Sequence, residues 1–212
     1  MSRWPDPEIT QERILQAADR LFYRRGIRAV GVDAVAAEIG ISKRTLYNYY
    51  PSKDALIVAY LQRRFTPLEI SDSDPAEQIL AAFDRLQKAF ASRSFRGCPF
   101  VNAVAELGEP RHEAGRIAMA FKEERRAWFR ELASRLGVAH PDRLATQLAM
   151  LLDGAIIAAV VRGDRTAAQA AKDAARILLQ ADGAALAAAN ATSIGGKAEA
   201  AAPRRGSRRR AR

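Results

Sequence analysis

The chain has 212 residues, 49% of them hydrophobic, and a formal net charge of +10 at pH 7. This size and composition suit a soluble globular protein with one large domain or two small ones. One cysteine and two histidines exclude an intramolecular disulfide and a structural zinc site of the usual ligand count.

The positive charge lies at the two ends of the chain. Residues 1–65 carry 11 basic and 7 acidic side chains, a net of +4, whereas residues 66–190 carry 16 of each. Residues 191–212 carry 7 basic and 1 acidic side chain, a net of +6. A basic N-terminal region predicts a nucleic-acid partner. For the tail, the alternative is that its arginine-rich composition has no function in binding nucleic acid.

Local signals near the N-terminus predict a flexible arm over residues 1–9, a helix over residues 10–25 and then two short helices. Apolar residues at i, i+3, i+4 and i+7 give the first short helix one apolar face, formed by Val32, Val35, Ala36 and Ile39. Gly40 ends this helix, because a helix C-terminus often takes a left-handed residue. Ser42 is suited to cap the next helix. The spacing predicts a helix-turn-helix.

The second short helix carries an unusual number of hydrogen-bonding side chains: Lys43, Arg44, Thr45, Tyr47, Asn48 and Tyr49. Leu46 and Tyr50 remain to anchor it to the rest of the domain. A short helix with this chemistry is suited to reading DNA in the major groove.

Residues from Thr10 to about residue 65 resemble the TetR family of one-component bacterial transcription regulators. The resemblance covers RILQAADRLFYRRGIRAV and SKRTLYNYYPSKDALIVAYL, and its most specific parts are TLY (Thr45–Tyr47) and YPSKDAL (Tyr50–Leu56). It implies an all-α homodimer with a three-helix helix-turn-helix DNA-binding domain over residues 10–65. It also implies a helical ligand-binding and dimerisation domain over residues 66–190. By this resemblance we expect a repressor that binds a palindromic double-stranded operator and is released by a small-molecule effector.

The resemblance implies DNA contacts by Thr45 and Tyr47 and a phosphate contact by Lys53. Arg44 is the best candidate for reading a base, since a guanidinium can donate twice to guanine O6 and N7; phosphate binding is the alternative. Tyr47 and Tyr49 are expected to donate to phosphate oxygens, although simple packing is an equal alternative for Tyr49. Gly31 stands where relatives usually have serine or threonine, so it lacks a hydroxyl for phosphate.

Further helices are predicted from Asp74-Pro75, from Pro99, and over residues 112–136, 142–161 and 165–189. The helix predicted over residues 165–189 is mostly alanine. The helix predicted over residues 142–161 is apolar on nearly every side, so it must be covered on every side. We interpret these last two helices as half of a four-helix dimer interface. An exposed alanine-rich helix is the alternative for residues 165–189. Residues 191–212 have the composition of a disordered basic tail.

The resemblance implies an effector pocket among the central helices, and RGCPFVNAVAEL is similar to a segment beside the pocket in one branch of the family. The candidate pocket residues are Cys98, Phe100, Asn102, Glu106, His112, Phe121, Trp128 and Asp153. Cys98 is either a small buried hydrophobe or, with Arg96 near it, a reactive thiolate. His112 is also suited to a helix start, and Phe121 and Trp128 to the core.

Other classes of function fit less well. Without a paired catalytic motif, a phosphate loop or metal-ligand spacing, we expect no enzyme, no cofactor and no metal. The N-terminus lacks the apolar run of a signal peptide, and no uncharged apolar stretch reaches about 18 residues, so we expect a cytoplasmic protein without a membrane partner. Two alternatives stay open: a non-specific architectural DNA-binding protein driven by the basic tail, and a regulator that senses oxidants or electrophiles through Cys98.

Overall fold

The protein is all-α over the part that the computed structural model describes, residues 7–108 and 112–181. These residues form nine helices and no strand. The helices are α1 (Pro7–Arg25), α2 (Val32–Glu38), α3 (Lys43–Tyr49), α4 (Lys53–Arg64), α5 (Pro75–Ala91), α6 (Pro99–Leu107), α7 (Glu113–Arg135), α8 (Pro141–Arg162) and α9 (residues 167–181). The predicted fold class is confirmed.

The starts of α3, α4 and α5 each have a capping side chain, and that of α3 is the predicted Ser42. The Ser42 side chain accepts a hydrogen bond from the Thr45 amide at 3.0 Å. Ser52 and Asp74 accept equivalent bonds at the starts of α4 and α5. Each bond satisfies one amide that the helix itself leaves without a partner. At the start of α2, Gly31 supplies no side-chain cap, because glycine has no side chain.

The described region differs from the sequence prediction at its N-terminal edge. α1 begins at Pro7, so residues 7–9, predicted as part of a flexible arm, are helical. Proline suits the first position of a helix, where no amide hydrogen bond is lost. Residues 1–6, the end of the helix predicted over 165–189, and the tail at 191–212 lie outside the described residues.

The helix-turn-helix is held on a rigid platform made by α1 and α4. Arg64 of α4 donates two hydrogen bonds to the carboxylate of Asp19 in α1, at 2.5 and 2.9 Å. Its guanidinium carbon also lies 4.2 Å from the centroid of the Tyr23 ring. Bidentate pairing and ring stacking use the planar guanidinium in a way that lysine cannot reproduce. Arg64 therefore joins the end of α4 to α1.

The second half of the protein is organised around α7, which packs against α5, α6 and α8. On α8, Leu144 and Leu148 are fully buried. The opposite side of α8 carries an exposed stripe at helical spacing, Met150, Gly154, Ile157 and Val161, which we call the α8 stripe. By length and composition α8 also meets the requirement for a membrane-crossing helix, a property shared by core helices of soluble proteins.

The two halves meet where the loop after α1 touches α6. Glu106 accepts a hydrogen bond from the Arg28 amide at 3.0 Å. The Tyr23 hydroxyl donates to the Gly97 carbonyl at 3.0 Å and accepts from the Arg96 amide at 2.9 Å. We call this set of contacts the domain junction. It ties the DNA-binding half directly to the residues just before α6 and to the last turn of this helix.

Gly26 lies inside the domain junction, and we expect its replacement by alanine to destabilise the protein. Its φ is +93°, and an added Cβ would lie 2.9 Å from Glu106 Oε2. The left-handed backbone alone costs an L-residue about 1–2 kcal/mol, and displacement of Glu106 adds to this. The free energy of unfolding, measured by urea titration, tests the prediction.

Gly40→Ala is the matched control, since Gly40 also has positive φ (+71°) but has open space around it. Equal losses in both variants would show that the Glu106 contact is immaterial.

Candidate nucleic-acid interface and effector cavities

Two buried side chains anchor α3 to the core of the DNA-binding half. Leu46 is fully buried and Tyr50, the residue after the helix, is almost so. Burial raises the pKa of the Tyr50 hydroxyl, which also hydrogen-bonds with Gln11 of α1. These anchors set the rotation of α3, so that one face of the helix is directed away from the domain core.

The outward face of α3 carries four of the predicted DNA-contacting residues, Lys43, Arg44, Tyr47 and Asn48, all exposed. Arg44 makes no hydrogen bond or ion pair with any described residue. Tyr47 is 38% exposed, a high value for a large aromatic ring. An exposed guanidinium without a protein partner near the start of a recognition helix is available to a base edge or to a phosphate.

Lys43 differs from Arg44 because it already has a partner. Its ammonium group donates to the Asp33 carboxylate of α2 at 3.0 Å. This hydrogen bond, together with the negative charge of Asp33, raises the pKa of Lys43. Both side chains are exposed, so the pair is weak and screened by salt. A phosphate approaching Lys43 would compete with Asp33.

Thr45, Tyr49 and Lys53 are half-buried. The Thr45 hydroxyl lies 2.8 Å from the Ser42 hydroxyl, so its oxygen is engaged in the cap and its methyl group is left for a thymine. Tyr49 packs against the core, which supports its packing interpretation. Lys53 begins α4, where exposed amides and the helix dipole favour a phosphate.

A cavity of about 710 Å³ lies between α6 and α7, and we call it the α6–α7 cavity. It is lined by Phe100, Val101, Val104, Ala105, Leu107, Gly108, His112, Ala114, Gly115, Arg116, Ala118, Met119 and Lys122. Two predicted pocket residues, Phe100 and His112, are among them. Its cations have partners: Arg116 pairs with Glu113, and Lys122 with Asp153.

A smaller cavity of about 260 Å³ lies among α5, α7 and α8, and we call it the α5–α7–α8 cavity. It is lined by Leu68, Ala82, Arg85, Leu86, Ala89, Arg125, Trp128, Phe129 and Leu152. Trp128 was predicted as a pocket residue, whereas Arg85 and Arg125 were missed. A signal for Arg125 exists, because it interrupts the apolar stripe of α7 between Phe121 and Trp128.

The other predicted pocket residues are distributed over different surroundings. Cys98 is 8% exposed within the core, and Phe121 stacks on Phe100 with ring centroids 3.9 Å apart. The Asn102 side chain donates to the Arg96 carbonyl at 2.9 Å. Glu106 belongs to the domain junction, and Asp153 is held by Lys122. The structure therefore does not bring the eight predicted residues together in one pocket.

His112 has a structural contact on each side of its ring. Its Nδ1 accepts a hydrogen bond from the Ala114 amide at 3.0 Å, which caps α7 as the sequence suggested. Its Nε2 lies 3.6 Å from the carboxylate of Asp54 in α4. The residue thus lines the α6–α7 cavity and also faces the DNA-binding half.

An anchored, outward-facing α3 after a capped turn, followed by a helical domain with internal cavities, defines a helix-turn-helix transcriptional regulator. The sequence model described as "Bacterial regulatory proteins, tetR family" matches residues 14–60. A TetR-type regulator of Streptomyces avermitilis, of known structure, is 34% identical, with a TM-score of 0.68 over 78% of this chain and 97% of that one. The chain belongs to the TetR family.

Two further relatives are informative. SCO4454, a TetR-family transcriptional regulator of Streptomyces coelicolor, is 29% identical, with a TM-score of 0.76 over 83% of this chain and 97% of its own. The transcriptional repressor SCO4008 of the same species is 37% identical over 81 residues, 38% of this chain and 42% of the relative. The chain thus matches this curated repressor over less than half of the repressor's length. All three relatives are named as transcriptional regulators or repressors.

Proposed function

We propose that the protein is a repressor that binds a palindromic operator as a homodimer and leaves it when a small-molecule effector binds. The observation that carries the DNA-reading role is the placement of Arg44. Arg44 is exposed, has no partner within residues 7–108 and 112–181, and lies on a helix whose rotation is set by buried Leu46. A side chain placed in this way can read a base only if the whole helix enters the major groove.

The α8 stripe supports the homodimer. Met150, Ile157 and Val161 are 68%, 52% and 75% exposed, large values for apolar side chains at helical spacing on one face. A groove of about 660 Å³ runs between α8 and α9 beside them. A second copy covers this surface and places two α3 helices against successive major grooves, about 34–36 Å apart on the bound operator.

The position of the cavities supports effector control. Both are lined by α7, which also contacts α4, and the α6–α7 cavity lies next to the domain junction. A ligand bound there changes operator affinity by as much as its affinities for the DNA-bound and released states differ.

Selection of bound sites from a random duplex library tests the proposal, with the full chain and a variant lacking residues 191–212 in parallel. We expect both proteins to select the same near-palindromic consensus. Loss of the consensus, or of most affinity, in the truncated protein would instead support the architectural function driven by the basic tail. That tail lies outside the described residues, so its contribution is decided by this experiment.

The redox-sensing alternative receives less support from the structure. Cys98 is buried, at the start of α6, so an oxidant or electrophile does not reach its thiol without local opening. We therefore retain ligand control as the proposed mode of regulation. Reading of operator DNA also agrees with the proposed cytoplasmic location.

A further inference from the structure

The α5–α7–α8 cavity differs from the α6–α7 cavity in that its basic side chains are not paired with carboxylates of the described residues. Two arginines, Arg85 and Arg125, are among its lining residues, and no acidic residue is. Neither group has a carboxylate within 4.0 Å among residues 7–108 and 112–181. Both lie against aromatic rings: the guanidinium carbon of Arg85 lies 5.9 Å from the centroid of the Trp128 ring, and that of Arg125 lies 4.7 Å from the centroid of the Phe121 ring.

The acids nearest to Arg125 are occupied elsewhere. Asp153 is paired with Lys122. Glu124 accepts a hydrogen bond from the Leu68 amide at 3.4 Å. Burial lowers the pKa of Arg125 and is the largest cause of the shift; Cys98, Asp153 and Glu124 act in the opposite direction, and the positive charge of Arg85 lowers this pKa further. The site therefore holds a partly desolvated cation that has no carboxylate within 4.0 Å among the described residues, an arrangement that costs stability.

We propose that this cavity binds a small organic carboxylate, with Arg125 as its counterion and Arg85 beside it at the cavity wall. This inference rests on the proposed function, because it names the chemical class of the effector. A carboxylate matches the planar guanidinium in a bidentate pair and supplies the charge that the protein leaves out. The remaining lining, including Trp128, Phe129 and Leu152, is apolar and suits the hydrocarbon part of the ligand.

The size of the cavity restricts the ligand further. Its volume of about 260 Å³ lies just below the range of ordinary drug-sized sites, which begins at roughly 300 Å³. A single aromatic ring or a short branched chain bearing one carboxylate is the appropriate size. Benzoate, phenylacetate and isovalerate are therefore suitable probes, and benzamide is the uncharged match for benzoate.

The cavity is connected to the DNA-binding half through the segment that follows α4. Leu68 of this segment lines the cavity, and its amide donates to Glu124. The Trp128 indole donates to the Glu69 carbonyl at 3.0 Å. A ligand that moves Trp128 or Leu68 therefore acts on the end of α4, which Arg64 ties to α1.

Isothermal titration calorimetry on the full chain tests the assignment. We expect at least one of the three carboxylates to bind, and its uncharged amide to bind at least tenfold more weakly. Arg125→Met is expected to abolish carboxylate binding while it leaves operator affinity unchanged. Arg116→Met, which removes a cation from the α6–α7 cavity, is the matched control and is expected to bind the carboxylate normally.

A second measurement separates a ligand-binding arginine from a structural one. Arg125→Met is expected to raise the Tm of the ligand-free protein, because it replaces an uncompensated, partly buried charge by an apolar chain of similar length. A lower Tm, no binding by any of the three probes, or equal binding of acid and amide would overturn the proposal.

The experiment also distinguishes this inference from the proposed function. If a carboxylate binds through Arg125 but leaves the operator complex intact, the anion site stands and ligand-controlled repression fails. If an uncharged compound releases the operator while no carboxylate binds, ligand control stands and the anion site is wrong.

Discussion

Replacing Arg44 by alanine is expected to weaken binding to the cognate operator by about 1–3 kcal/mol, roughly 5- to 150-fold in Kd, and to relax specificity at one base pair of each half-site. The reason is that the guanidinium is exposed and has no partner among the described residues, so its hydrogen bonds are available to guanine O6 and N7. Fluorescence anisotropy with the selected operator, and with single-base variants of it, measures both effects.

The matched control for Arg44 is Lys53→Ala, which removes a charge expected to meet only phosphate. This variant should weaken binding to cognate and scrambled duplexes alike, and it should reduce the slope of log K against log salt by about one unit. Arg93→Ala removes an exposed arginine far from α3 and should change neither quantity. Equal losses on cognate and scrambled DNA for Arg44→Ala would reassign Arg44 to phosphate binding.

Replacing Ile157 by glutamate is expected to prevent formation of the proposed homodimer and to reduce operator affinity by about 10²- to 10⁴-fold. Ile157 lies at the centre of the α8 stripe and is 52% exposed in the single chain. A carboxylate there would be buried without a partner when two copies meet, which strongly disfavours association. A monomer also loses the advantage of binding the second half-site within an already formed complex.

Sedimentation velocity measures the change of mass, and the operator titration measures the affinity. Ala120→Glu, at an exposed position in the middle of α7, is the matched control, since it adds the same charge away from the α8 stripe. It should remain dimeric and keep its affinity. A dimeric Ile157→Glu with normal operator binding would show that the α8 stripe is not the interface.

Much of the fold was predictable because its signals are local. Ser42 and Ser52 cap helices through amides only three residues away, and Asp74 does the same. Gly40 ends the first helix of the motif with φ of +71°. Such interactions need only a few neighbouring residues, so their spacing is visible in a single chain.

The DNA-reading face was predictable for a related reason. Within one short helix, Leu46 is the apolar residue, and its neighbours are polar, so burial of Leu46 decides which side faces outward. Seven residues of sequence contain that information. The engagement of Lys43 by Asp33 was not predicted, since the two side chains meet across the turn between α2 and α3.

The effector region depended on the tertiary structure. Glu106 was a sensible pocket candidate one turn from Asn102, yet its carboxylate binds the Arg28 amide, 78 residues away in the chain. Arg125 was overlooked because arginine is usually a surface residue, and only the packing of α5, α7 and α8 places it beside Arg85 in one cavity.

The sequence by itself determined the helices, the helix-turn-helix and its outward face, because caps, glycine stops and helical periodicity act over a few residues. Only the tertiary structure decided which polar side chains join the domain junction and which line a cavity, because burial and pairing depend on residues far apart in the chain.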